Sequence, residues 1–382
     1  MKCKDLFETI DSLNERYLDI LEAVCNIESP TDFKQGVDEV GEYFLDMAKS
    51  RGWQTEVFEQ DVSGNVVAIT LNPDAPGAPL SVSGHMDTVH PVGLFGTPAV
   101  TRDEKNMYGP GVMDCKGGIV AAFMAMEALE KCGFKDRPVK LFLQSDEENG
   151  SQYSAQATIN YICEKAKGSV AFLNLEGISG KTAVLQRKGI LRYRFTVHGK
   201  ALHSSRCAEG ASAIAEAAYK IIELEKMKNT DGLTCSCGVI KGGTVANTVP
   251  EECTFIADIR FATLDEVRQV REKIKEIAEN STIPGCTCDF HEMSYRPAMV
   301  KSEKNYELLD KMNEIFELNG LPHLEARSCP SGSDAAYVTE CGIPCVDNIG
   351  TEGKNIHSRD EYIELKSLAE AAKRVAAVAY CI

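Results

Sequence analysis

ILRYRFTVH, residues 190–198, reads as a β-strand, and the pattern that follows it decides how the chain is organised. Strand-like runs recur at 235–240, 252–260 and 286–294, with helical stretches at about 209–227 and 263–279 between them. The order β-α-β-β-α-β is the ferredoxin-like pattern. Upstream, Leu6, Phe7, Ile10, Leu13, Tyr17, Ile20, Leu21 and Val24 recur at helical spacing, and Val40, Tyr43, Phe44 and Met47 continue it in a second helix. Strand-like runs at 53–59, 65–71, 79–83, 138–144 and 170–175 alternate with helical stretches near 117–132 and 152–166. That alternation predicts an α/β sheet core. Beyond 298 come a helix (302–318), a Gly/Ser/Asp loop (330–334), a strand (343–347) and a final helix from about 365. The expected fold is a mixed-sheet α/β domain, 1–184 and 298–382, interrupted by a smaller α+β domain, 185–297.

The chain has 382 residues, and 41 basic against 57 acidic side chains leave a net charge of −16. Nucleic acid and anionic membrane are poor partners for such a surface, and no run of 18 apolar residues spans a bilayer. The fifteen cysteines are an odd number without zinc-finger spacing. Thiols in a reducing cytosol fit that pattern. The acid-containing N-terminus lacks the apolar core of a signal peptide. A soluble cytoplasmic protein is expected.

Five segments carry chemistry. In SVSGHMDTVH (81–90) an apolar strand ends at Gly84, and His85 and Asp87 follow two residues apart. Such a pair can place an imidazole on a metal while the carboxylate holds its other nitrogen. In MYGPGVMDCKGG (107–118) glycines let the backbone turn around Asp114. LFLQSDEENGS (141–151) runs an apolar strand into Asp146, Glu147 and Glu148, and VAFLNLEG (170–177) runs another into Glu176. His357 lies in the polar loop of NIGTEGKNIHSRDEYIEL (348–365). Taken singly, each is an ordinary turn, solvated loop or capped strand end. Together, three carboxylates and two histidines just past strands or in loops of one domain suit zinc or a similar ion, and a shared aspartate can bridge two.

The order HMDTV, GPGVMDCKGG, DEENGS, LEG and IHSRDE resembles the zinc exopeptidases and amidohydrolases that include glutamate carboxypeptidase, acetylornithine deacetylase, succinyl-diaminopimelate desuccinylase and aminoacylase. The resemblance runs essentially end to end, through TVHGKALHSS (196–205), GGTVANTVP (242–250) and ADIRF (257–261), and RPAM (296–299) and SGSDAAY (331–337) look closest to the glutamate carboxypeptidase branch. It implies a catalytic zinc-exopeptidase domain with an inserted lid and dimerisation domain, and a homodimer. It also implies two divalent ions, most readily zinc, with cobalt or manganese as substitutes. Asp114 would bridge the ions, His85 and Glu148 completing one and Glu176 and His357 the other, although the resemblance leaves that pairing open. Asp87 would orient His85, and Glu147 would be the general base. His203 would stabilise the oxyanion, Asn247 and Arg260 would hold the substrate's carboxylate, and the loop around Gly332 would close the pocket. Pro110, Gly177 and Ala208 depart from residues common in the family, which bears on loop geometry and substrate preference but removes no ligand.

The implied reaction is hydrolysis of an amide next to a free-carboxylate amino acid, in a small peptide or an N-acyl amino acid. A deacylase of the acetylornithine or succinyl-diaminopimelate type is the alternative. An aminopeptidase with a zinc pair, and a non-catalytic protein on the same fold, also remain open. Arg187, Lys188 and Arg327 are basic residues that would suit an acidic side chain, or equally an ordinary surface.

Overall fold

The structure, a computed structural model, describes residues 2–229 and 232–382. The chain divides into two compact units: one takes in the chain as far as Gln186, then Lys301–Ser328 and Ser333–Ile382, and the other is Arg187–Val300 with Cys329–Gly332.

The first unit opens with α1 (Lys4–Cys25) and α2 (Lys34–Ser50), followed by β1 (Gln54–Phe58), β2 (Val66–Leu71), β3 (Leu80–His85), β4 (Thr101–Arg102) and β5 (Asn106–Tyr108). Next come α3 (Lys116–Lys131), β6 (Val139–Gln144), α4 (Ala157–Ala166), β7 (Ala171–Asn174) and β8 (Thr182–Arg187). α1 buries one stripe (Leu6, Ile10, Leu13, Tyr17, Leu21, Val24), as its spacing dictates. α3 is apolar nearly all round, with Gly117 through Leu129 buried, which suits a helix enclosed by α1, α9 and the sheet. α4 starts five residues later than the sequence pattern indicates. Ser151, Ala155 and Gln156 adopt φ of 59°, 49° and 67°, and this left-handed turn cannot join a right-handed helix.

In the second unit, β9 (Gly189–His198), α5 (Ala213–Glu225), β10 (Thr234–Gly242), β11 (Glu252–Phe261), α6 (Leu264–Glu279) and β12 (Thr287–Arg296) form an antiparallel sheet of order β10-β11-β9-β12. In register, Phe195 of β9 faces Phe255 and Phe290, and the Phe195 and Phe255 rings stack at 4.6 Å. Residues 204–209 form a separate short 3-10 turn, because extended Gly210 delays α5. Cys329–Gly332 fall in this unit, outside the 185–297 span expected for the insert, because Arg187 donates to the Ser331 and Gly332 carbonyls.

The first unit ends with α7 (Glu303–Asn319), β13 (Glu325–Cys329), α8 (Ala335–Glu340), β14 (Cys345–Val346), β15 (Gly353–Lys354), β16 (Tyr362–Glu364) and α9 (Lys366–Cys381). Its main sheet has the order β1-β2-β6-β3-β7-β14 and is mixed: β6, β3, β7 and β14 run parallel, and β2 runs antiparallel to both of its neighbours, β1 and β6. β4, β5, β15 and β16 make a second small sheet that alternation alone does not reveal. Among the described residues, no helix is long and apolar enough to cross a membrane.

Candidate metal centre

Parallel pairing gathers the chemistry at one sheet edge. His85 lies opposite Gln144 and Ser83 opposite Asn174, so His85, the 146–148 run and Glu176 leave neighbouring strands at the same C-terminal edge. Crevices at such edges are where open α/β sheets hold their ligands. Asp114 arrives from the loop between β5 and α3, and His357, at φ 61°, from the loop between β15 and β16.

His85 Nε2 lies 3.1 Å from Asp114 Oδ1 and 3.8 Å from Glu176 Oε1. His357 Nε2 lies 3.1 Å from Asp114 Oδ2 and 3.2 Å from Glu148 Oε2. The two oxygens of Asp114 thus face two histidines, and these approaches group His85 with Glu176 and His357 with Glu148. The first pairing implied by the family resemblance is the reverse. Strand order does not by itself choose between the pairings, since β3 lies between β6, which leads to Glu148, and β7, which leads to Glu176.

The electrostatics record the crowding of acids. Burial and the Asp114 charge push Glu176 well above the usual carboxylate range. Burial pushes Glu148 up to about 7 despite its hydrogen bond with His357. Burial would raise Asp114 too, but hydrogen bonds from His357 and His85 hold it far below that range. Hydrogen bonds to Asp114 and Glu148 raise His357 to about 10. Three crowded acids, one buried and two half-buried, with two imidazoles are the donor set of divalent-cation sites, where the cation relieves the repulsion. The residues present therefore fit a bound ion. Ligand atoms of His85, Asp114 and Glu148 lie within 4.8 Å of one another, as do those of His85, Cys115 and Glu176.

Asp87 meets the His85 imidazole with both its main chain and its carboxylate. The imidazole Nδ1 lies 2.9 Å from the Asp87 main-chain carbonyl and 3.5 Å from its carboxylate. The carboxylate also accepts the Glu147 and Glu148 amides and the Thr31 hydroxyl, at 3.2, 3.1 and 2.8 Å. Asp87 therefore ties the histidine strand to the turn that carries both glutamates. Buried Glu361 does the same for the Asp114 loop by accepting the Gly111, Met113 and Asp114 amides at 3.2, 2.9 and 3.0 Å. Sequence reasoning missed Glu361, whose only signal is its place four residues after His357 in an acidic stretch. Close approach explains Gly118, where a Cβ would sit 2.3 Å from the Leu175 carbonyl.

The second unit holds the other expected residues. His203 is exposed, its Nδ1 2.9 Å from Ser205 Oγ, and pairs across a bridge with Thr248. Asn247 is exposed, and its carbonyl accepts the Ser204 amide. Arg260 donates Nε to Asp258 at 2.8 Å, and Asp258 also accepts Arg192 Nε. At Gly332 a Cβ would meet Arg296 Cδ at 2.6 Å, so a larger residue there would have to displace the Arg296 side chain. A cleft of about 710 Å³ in this unit is lined by His198, Lys241, Thr248 and Glu251 among others.

The family model for "Peptidase family M20/M25/M40" matches residues 81–380, most of the chain and both of its units. The chain belongs to this family. Among relatives of this M20/M25/M40 peptidase, carboxypeptidase G2 of Pseudomonas sp. (strain RS-16) is 27% identical over 376 residues, 95% of this chain and 88% of the relative. Succinyl-diaminopimelate desuccinylase of Wolinella succinogenes is 25% identical over 320 residues, 77% of this chain and 81% of the relative. A solved tripeptidase from Staphylococcus aureus superposes with a TM-score of 0.79 at 19% identity, over 96% of this chain and 98% of that one. At that identity it shows the shared fold alone. The M20/M25/M40 peptidase described here is a metal-dependent hydrolase of the exopeptidase and amidohydrolase kind.

Proposed function

We propose that the chain cleaves the amide bond next to a free-carboxylate amino acid in small peptides or N-acyl amino acids. The observation that carries this reading is the convergence of two histidines and three carboxylates beside Glu147, in a member of this peptidase family. Asp114 would bridge two ions, most readily zinc, with His85 and Glu176 on one side and Glu148 and His357 on the other. When bound, such ions polarise the scissile carbonyl and lower the pKa of water toward about 7. Glu147 takes the proton of the attacking water and returns it to the departing amine. His203 donates to the developing oxyanion, and Asn247 and Arg260 hold the substrate's carboxylate, with the loop at Gly332 bordering it. Asp258, by engaging Arg260 Nε, fixes the guanidinium plane for that grip.

Dipeptides and N-acyl amino acids blocked at either end test the substrate class. Turnover should survive acylation of the amine and fail on amidation of the carboxylate. A requirement for a free amine would instead establish an aminopeptidase and overturn the proposal. Similarity to the desuccinylase supports a deacylase as the second reading, and preference for acyl amino acids over dipeptides in the same panel would select it.

A homodimer through the second unit is supported by exposed Ile214, Tyr219 and Ile222 on α5 and exposed Val239 and Ile240 on edge strand β10. His203 would then serve the partner's site. Sedimentation equilibrium should give twice the chain mass, and a monomer removes the proposal. Among the described residues no cysteine is joined in a disulfide, which supports a cytoplasmic setting, and disulfides in protein isolated from its source would contradict it.

A further inference from the structure

We infer that the Cys115 thiol is a positioning residue for the ion on the His85/Glu176 side and for that ion alone. The inference rests on the two-ion reading above. Cys115 follows Asp114, is fully buried, and donates its thiol proton to the Leu175 carbonyl at 3.3 Å. Leu175 is the residue before Glu176. The sulfur also lies so close to β3 that a Cβ on Gly84 would sit 3.2 Å from it, and it lies within 4.8 Å of the ligand atoms of both His85 and Glu176. One atom therefore touches the backbone beside His85 and beside Glu176, while its own chain carries Asp114. The exits of β3 and β7 and the start of α3 are pinned together at this point. His357, which reaches the other oxygen of Asp114, and Glu148, which meets His357, are carried by other segments: the Glu148 amide is held by Asp87, and His357 lies in the loop between β15 and β16.

The arrangement is one-sided, and so is its expected effect. Outer partners that fix ligand-bearing segments typically contribute 10–100-fold in metal affinity. A serine at 115 keeps a donor on a shorter bond, and an alanine keeps none.

Metal-free protein titrated with zinc against a chromophoric chelator gives two stepwise dissociation constants. Cys115→Ala should weaken one ion by about 10-fold or more and leave the other within about twofold, with Cys115→Ser between alanine and wild type. Glu176→Gln should weaken the same ion. The melting temperature of the metal-free protein should stay near wild type in the serine variant, which also serves if alanine fails to fold. Equal weakening of both ions, or no weakening, overturns the assignment. So does a sulfur-to-cobalt charge-transfer band in the cobalt-loaded wild type, because the thiol would then be a ligand. A wild-type stoichiometry below two ions overturns the two-ion reading, and this assignment with it.

Discussion

Glu147→Gln should leave the metal content near wild type and lower kcat by about 10²–10⁴-fold, the range ascribed to a positioned general base. The two glutamates are adjacent, yet the structure gives them different surroundings. Glu148 meets His357 at 3.2 Å and belongs to the group around Asp114. Glu147 is buried on the same turn, its amide fixed by Asp87 Oδ1. Glutamine preserves the shape and the backbone hydrogen bond but cannot accept a proton from water. Glu148→Gln should do the reverse and lose an ion first, because a neutral amide is a poor replacement for a carboxylate beside His357. The check is metal content by mass spectrometry alongside kcat for the same preparations. Metal loss in Glu147→Gln with retention in Glu148→Gln would reverse the two roles.

The sheet edge was legible because each of its apolar strands ends in a polar ligand type: His85 after β3, the 146–148 run after β6, Glu176 after β7. Parallel strands of one sheet end on the same side, so these exits share one edge of it. The pairing of ligands was not legible, because the approach of side chains from distant segments is a long-range property that a linear pattern does not carry. Glu361 and the Cys115 thiol escaped for a related reason. They act on main-chain amides and carbonyls, and any residue type can supply those groups. Asp87 shows the same limit in milder form: the residue was identified, but the partners of its carboxylate lie sixty residues away at Glu147 and Glu148. The small sheet of β4, β5, β15 and β16 has strands of two or three residues, too short for periodicity to register.

The largest expected loss of stability lies in the second unit, where Lys220→Met should cost about 3–5 kcal/mol, the range for breaking a buried ion pair. Lys220 and Glu216 are one helical turn apart on α5, almost fully buried, with Nζ 3.1 Å from Oε1. Neither charge could stay there unpaired. The ammonium also donates to the carbonyls of Ile277, Ala278 and Asn280 at 2.7, 3.2 and 2.8 Å, at the end of α6 where the helix leaves carbonyls without partners. Glu216 accepts the amides of Thr282 and Ile283 just beyond. The pair thus ties α5 to the end of α6 and to the turn into β12. Methionine fills the space of the lysine stem but leaves a buried carboxylate without its counter-charge and takes the ammonium donor from three carbonyls. Lys220→Met with Glu216→Leu should cost less than the sum of the single changes, because the second removes the charge stranded by the first. Trp53 is the sole tryptophan and lies in the first unit, so its emission follows the half that carries the metal centre. Hydrogen exchange at β9 and β11 amides follows the other half. In Lys220→Met those amides should exchange at temperatures where Trp53 emission is unchanged, and activity should fall with the amides if His203, Asn247 and Arg260 act as proposed. A cost below about 1 kcal/mol would mean that water replaces the ammonium and that the pair does not hold the unit together.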